Sequence, residues 1–244
     1  MIDPAHGQAG FQVRLDWGPT GGAAVATGAD VAVVVDVLSF TTTLSIAVAQ
    51  GTRVHPFPWK DARAADFAAE KHAVLAVGRL VARGLVDPPP SLSPAQLLGA
   101  APVERLVLPS PNGSTICAAL EGVVVVGASL RNRGAVARWL QPRIDEGAVV
   151  AFVPAGERWP DGSLRPALED LWGAGAVLAA LDLAGRDVSP EARHASSSYS
   201  TELVDLASGR ELAAIGYAAD VTVAAHLDVD DVVPVLGDDG FVAG

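Results

Sequence analysis

"VVVDVLSFTTTLSIAVAQG", residues 33–51, is a valine run that ends on Asp36, then a cluster of hydroxyls, then a helical apolar pattern. A valine run without polar alternation is how a strand reads when both faces of its sheet are covered. The switch to helical spacing marks a strand-to-helix turn. The same grammar recurs along the chain. Strands are expected at 11–17, 31–38, 74–77, 105–108, 123–128, 148–153 and 231–236, and helices at 42–50, 62–71, 114–120, 132–140, 168–181 and 200–209. Helices placed between strands serve as crossover connections, which parallel strands require. The expected fold is therefore α/β: three α/β/α layers around a mostly parallel (mixed) central sheet, with the first strand antiparallel at an edge. "LVDPPPSLSP" is the clearest loop, because consecutive prolines remove donors and fix backbone angles. No composition shift or repeat divides the chain, so residues 1–244 read as a single domain.

Composition sets the outer limits. Of the 244 residues, 50% are hydrophobic, enough for one substantial core. The longest apolar stretch, 31–50, carries Asp36 in its middle and is broken by Ser and Thr, which argues against a membrane span. The first ten residues lack the basic and apolar regions of a signal peptide, and a single cysteine, Cys117, agrees with a reducing compartment; a cytoplasmic protein is expected. A net charge of −11 argues against a nucleic-acid or anionic-membrane partner, since phosphate backbones are held by Lys and Arg. A small anionic ligand remains compatible, because local arginines or a metal ion overcome a distant field. A homodimer would bury surplus apolar surface.

In open α/β sheets ligands bind at the carboxyl ends of strands, where turns present free amides and the positive end of a helix dipole. Four turns carry polar side chains there. The first holds Asp36 with Ser39, Thr41, Thr42 and Thr43. Asp36 ends a run expected to be buried, where an unpaired charge is costly, so it requires a partner such as a hard cation. The hydroxyls either cap the helix or hold an anion. The second, "LPSPNGST", has Asn112, Gly113 and Ser114 in a turn that is either only a turn or a cradle of amides for an anion. The third, "GASLRNRG", places Ser129, Arg131, Asn132 and Arg133 at a helix start, where cations oppose the dipole and invite an anionic partner. The fourth, "PAGERWPDGSLRPALED", gathers Glu157, Arg158, Arg165, Glu169 and Asp170, more ionisable groups than capping needs; metal ligation or acid/base work is the functional reading.

Other chemistries find no residues to carry them. Cys117 has no arginine-bearing phosphate loop behind it and reads as a small buried residue. "GASLR" lacks the second glycine of a nucleophile elbow, and no P-loop occurs. The histidines show no metal-ligand spacing. The acids at Asp228, Asp230, Asp231, Asp238 and Asp239 read most simply as a solvated edge.

The ordered series "VVVDVLSFTTT", "LPSPNGST", "GASLRN", "PAGERWPDGSLRPALEDLWGAG" and "GYAADVTVAAHLDVDDVVPVL" resembles the 2-phosphosulfolactate phosphatase family over most of the chain. That likeness implies an α/β/α enzyme that uses Mg²⁺ to hydrolyse the phosphate ester of a small sulfonated hydroxy acid on the route to coenzyme M. Carried onto these motifs, it implies that Asp36, Glu169 and Asp170 are the catalytic and metal-binding carboxylates. Thr41, Thr42, Asn112, Gly113, Ser114, Ser129 and Asn132 would hold phosphate and substrate, with Arg79, Arg131 or Arg158 orienting the organic end of a small anionic phosphoester. Ser39 stands where the family motif has arginine, and the Gly-Glu-Arg segment shrinks to "VGR" at Gly78-Arg79. A substrate with two anionic groups besides its phosphate calls for several arginines, so these departures bear on specificity more than on chemistry. They also leave open a catalytically silent protein that binds an anion or a partner, and a hydrolase of non-phosphate esters on the same scaffold.

Overall fold

The computed structural model describes residues 3–58 and 63–244, so Ala62, the first residue of one expected helix, lies outside the described residues. The strands are β1 (Val13–Leu15), β2 (Val31–Val35), β3 (Arg53–Phe57), β4 (Val74–Leu75), β5 (Arg105–Pro109), β6 (Val124–Ala128), β7 (Val150–Pro154), β8 (Glu157–Arg158), β9 (Leu164–Arg165), β10 (Pro234–Gly237) and β11 (Gly240–Ala243). The helices in the first half are α1 (Gly18–Ala26), α2 (Phe40–Ala49), α3 (Arg63–Glu70), α4 (Arg79–Arg83), α5 (Pro94–Gly99) and α6 (Gly113–Ala119). Those in the second half are α7 (Arg133–Asp145), α8 (Leu168–Ala179), α9 (Pro190–Ser197), α10 (Ala207–Ala214) and α11 (Ala218–Ala224). No described helix is long and apolar enough to cross a membrane.

Nine strands form one mixed, mostly parallel sheet in the order β1-β7-β2-β6-β10-β11-β3-β5-β4, and β8 and β9 make a separate hairpin. The sheet is α/β as expected, but it is built from two parallel blocks. Strands β1, β7, β2 and β6 run together, and so do β3, β5 and β4. Between them the C-terminal hairpin β10–β11 pairs antiparallel with β6 on one side and β3 on the other, which sets the blocks in opposite directions. The first strand is an edge, but it is parallel to β7, a correction to the antiparallel edge expected from sequence. The stretch 200–209 is also not one helix. It is a 3₁₀ turn at Leu203–Asp205 followed by the start of α10.

The all-valine reading of β2 is explained by two apolar layers. Val31, Val33 and Val35 join Phe152, Leu140, Val177 and Ala192 on the face covered by α7, α8 and α9. Val34 faces the other way, with Val25, Phe40, Leu44 and Ile116 of α1, α2 and α6. Helix α2 buries nine consecutive residues, Phe40 to Val48, so the hydroxyl-rich segment after Asp36 lies inside the protein. Although the blocks run in opposite directions, the turn after β5 meets the end of β2 beside α2, where the Gly113 amide bonds Asp36.

Candidate active site

Asp36 leaves β2 into the α2 turn and is 4% exposed. One carboxylate oxygen, Oδ1, accepts from the Phe40 amide at 3.2 Å; the other, Oδ2, accepts from the Gly113 amide at 2.8 Å and from Ser110 Oγ at 3.3 Å. Residues 74 and 77 positions further along the chain thus close on it at the end of β5. Gly113 has to be glycine. A Cβ there would stand 2.4 Å from Phe40 Cδ1 and 2.9 Å from Asp36 Oδ2. The threonines brace the turn itself. Thr41 Oγ1 accepts from the Asp36 amide and donates to the Asp36 carbonyl, both at 2.9 Å, and Thr42 Oγ1 donates to the Val37 carbonyl at 2.7 Å. Both are fully buried, as is Ser114, whose hydroxyl donates to Leu108 O at 2.9 Å. These three hydroxyls are engaged by backbone and that of Ser110 by Asp36, so the cradle for an anion is left to amides.

Asn112 turns the other way. Its Nδ2 donates to Glu157 Oε2 at 2.9 Å, which ties the β5 turn to the first residue of the β8–β9 hairpin. Glu157, Asp36, Asn112, Ser110, Ser39 and Arg79 all line one cavity of about 280 Å³. Glu169 is 2% exposed and accepts from Ser208, another lining residue. Asp170 is set behind Asp36: its Oδ1 accepts from the Val37 amide at 2.7 Å and its Oδ2 from the Gly156 amide at 2.9 Å. Adjacent in sequence, Glu169 and Asp170 therefore have different tasks. Asp170 fixes the two loops that carry Asp36 and Glu157.

Four carboxyl groups in a poorly solvated space cannot all carry charge cheaply. Burial raises the pKa of Asp36, opposed by the Gly113, Phe40 and Ser110 hydrogen bonds and by the Arg79 charge. Burial, then the charges of Asp36 and Glu169, lifts Asp170 well above the carboxylate range, and burial also raises Glu169. Glu157 is pushed up to about 7, chiefly by burial and next by the charge of Asp36. A carboxyl group that titrates near neutrality in a cleft is what acid/base catalysis uses.

Arg79 is the only basic residue among the described residues lining the cavity. Its Nε donates to Asp220 Oδ2 at 2.7 Å, and its Nη2 to Ser39 Oγ and to the Leu92 carbonyl at 3.0 Å. Asp220, 1% exposed, is held in turn by Ser93 Oγ and by the Ala95 amide at 3.2 Å. The guanidinium also lies 5.7 Å from the Tyr217 ring centroid. Such a pinned arginine presents its remaining Nη1 edge at low entropic cost.

The third turn lies elsewhere and is satisfied within the protein. Arg131 Nε and Nη2 fork onto Asp230 at 2.8 and 2.7 Å, its Nη1 donates to Val223 O at 3.1 Å, and the side chain is almost fully buried. Ser129 and Asn132 bond to one another, and Asn132 Nδ2 reaches Gly127 O and Val232 O. Arg133 pairs with Asp228 at 2.8 Å. The arginines that oppose the α7 dipole are thus balanced by the acidic C-terminal segment: Asp228 stays at an exposed edge, and the solvated-edge reading is corrected for Asp230, which is buried against Arg131. Arg158 stays in its hairpin, donating to Gly162 O at 3.2 Å, and does not line the cavity.

Sequence reasoning left out Ser110, Glu157 and Asp220 as site residues. Glu157 was visible as one acid among four in a single segment; nothing local distinguished it from Glu169. No group of three or more His, Cys, Asp or Glu side chains is arranged to hold a metal ion among the described residues. The expected set of Asp36, Glu169 and Asp170 is not such a cage, because only Asp36 lines the cavity, and Asp170 sits behind it with its oxygens on the Val37 and Gly156 amides.

A family model described as 2-phosphosulpholactate phosphatase matches residues 23–239, nearly the whole chain and every element that borders the cavity. The chain belongs to that family. Family membership makes it a phosphatase of a small phosphoester. No curated protein matches the chain.

Proposed function

We propose that this protein hydrolyses a phosphomonoester with Mg²⁺ in the cavity between Asp36 and Glu157. The observation that carries it is the meeting of four features on one cavity: an anchored carboxylate, a carboxyl group titrating near neutrality, a pinned arginine and the Ser110–Gly113 turn. Mg²⁺ takes oxygen ligands and is commonly held by only one or two carboxylates, with waters and substrate phosphate completing its shell. Asp36 is the hard donor that fits this, and a surplus of buried carboxyl groups favours a cation nearby. When bound, the metal would supply charge neutralisation at the phosphoryl oxygens.

The chain's own groups do the rest. Arg79 Nη1, placed by Asp220, orients the phosphoryl group, while Ser110 gives its hydroxyl proton to Asp36 and fixes that carboxylate. Protonated Glu157, steered by Asn112, gives its proton to the leaving oxygen as the ester O–P bond breaks, while a water oxygen bonds to phosphorus. The products are the alcohol and inorganic phosphate, and Glu157 recovers a proton from solvent. The substrate that the family description offers is 2-phosphosulfolactate, giving sulfolactate.

The test is phosphate release from a panel of phosphomonoesters with and without Mg²⁺. Release should need the metal and fall by about 10²-fold or more in Asp36→Ala, with folding checked by thermal unfolding. Full activity in that variant rules the site out.

A further inference from the structure

Beside the polar cavity lies a second, larger one of about 560 Å³. The two share Arg79, Leu92 and Ile215 as a common wall. The second cavity is lined by Leu75, Ala76, Val77, Leu80, Val81 and Pro109, and Arg79 at the shared wall is the only charged side chain among its described lining residues. Its size falls in the range of roughly 300–1,000 Å³ typical of small-molecule pockets. Leu80, Val81 and Ile215 are 62%, 58% and 42% exposed, so a strip of apolar surface faces solvent beside the polar cavity. The polar cavity itself offers a single cationic side chain among its described lining residues. Its lining has Asp36, Glu157 and Glu211 against the single Arg79, two of whose nitrogens are already engaged by Asp220, Ser39 and Leu92.

We infer that the substrate is a phosphomonoester whose organic part is apolar, its phosphoryl group in the Asp36–Glu157 cavity and its hydrocarbon in the Leu75–Val81 cavity, with Arg79 at the junction. The inference rests on the phosphatase reading and sharpens it. A carboxylate and a sulfonate beside the phosphate would have Arg79 as their single cationic side chain among the described lining residues, whereas a hydrocarbon placed next door covers surface that is otherwise left to water. The continuity of the two cavities through three shared residues is what selects this occupant over a separate ligand.

The experiment compares cyclohexyl phosphate with 2-phosphosulfolactate, both esters of secondary alcohols, in the full chain with Mg²⁺. It is run beside calorimetric binding of cyclohexyl phosphonate, which cannot be hydrolysed. Cyclohexyl phosphate should have at least a tenfold higher kcat/KM, and Leu80→Asp should reduce that preference at least tenfold and weaken phosphonate binding. A preference for 2-phosphosulfolactate overturns the inference and leaves the phosphatase reading standing. Phosphonate binding that Leu80→Asp weakens, with no ester turned over, does the reverse. No binding, or a Leu80→Asp effect only on sedimentation as a dimer, overturns the inference by giving that face to nothing or to a second copy.

Discussion

Replacing Glu157 by glutamine should raise stability where it destroys activity. Gln keeps an oxygen for Asn112 Nδ2 and removes the charge. In the wild type the folded-state pKa is raised from 4.5 to about 7. Protonated Glu157 therefore contributes stability that is fully present below about pH 4.5 and is lost as pH rises through 7. At roughly 1.4 kcal/mol per pH unit the full span is about 3 kcal/mol, trimmed to about 2–3 kcal/mol because the side chain is only partly buried. Glutamine has no proton to lose. The stability gap of Glu157→Gln over wild type, measured by denaturant unfolding in EDTA, should widen by that amount between pH 4.5 and 8.5. In a chain of this size it corresponds to roughly 4–12 °C in Tm. Over the same range wild-type kcat/KM should fall above pH about 7, as the acid form disappears. In the variant this limb should vanish and the rate should drop by about 10²–10⁴-fold. A gap that does not change with pH, or a retained limb near 7, refutes Glu157 as the neutral-range acid.

Gly113→Ala forces a methyl against Phe40 and Asp36 Oδ2. It should cost about 1–3 kcal/mol in chemical denaturation and lower phosphate release together with it. Arg131→Met leaves Asp230 charged and buried, so unfolding should show a loss of about 3–5 kcal/mol. The kcat/KM of the protein that remains folded should stay within about twofold, since the Arg131 guanidinium is spent on Asp230 and Val223; a change confined to KM would restore the arginine to substrate binding.

The parts of the fold legible in sequence are those where local pattern and burial coincide. Strands β2, β6 and β7 are valine-rich because helices cover both faces, and that alone fixes their type. Strand β3 escaped notice because "RVHPF" contains proline. Pro56 is tolerated because β11 pairs with β3 at Val54 alone, so the missing N–H falls beyond that ladder. Helix α1 was hidden by its three glycines, which are there for contact: a Cβ on Gly22 would meet Val153 Cγ1 at 2.6 Å, and one on Gly21 the Asp16 carboxylate at 2.7 Å. The opposed blocks of the sheet could not be read at all, since they depend on a hairpin supplied from the far end of the chain.

Much the same separates the legible and hidden parts of the site. Asp36 was evident because a carboxylate after a buried run needs partners, and Gly113 because Asn-Gly marks a turn, although what demands glycine is the closeness of Phe40 and Asp36 and not a positive φ. The hydroxyls of Thr41, Thr42 and Ser114 looked alike from composition, and only their distances to carbonyls assign them to the turns. Arg131 and Arg133 did have the anionic partners that their helix start demanded. Those partners were Asp230 and Asp228, almost a hundred residues away, and sequence spacing gives no access to such pairs.

Soaking a crystal with Mg²⁺ and phosphate puts the central claim to its most direct trial. Density for the ion and the anion should appear in the 280 Å³ cavity, with Asp36 on the metal and Arg79 Nη1 on the phosphate. An anion held instead at Arg131 or in the β8–β9 hairpin, with that cavity holding only water, would contradict it.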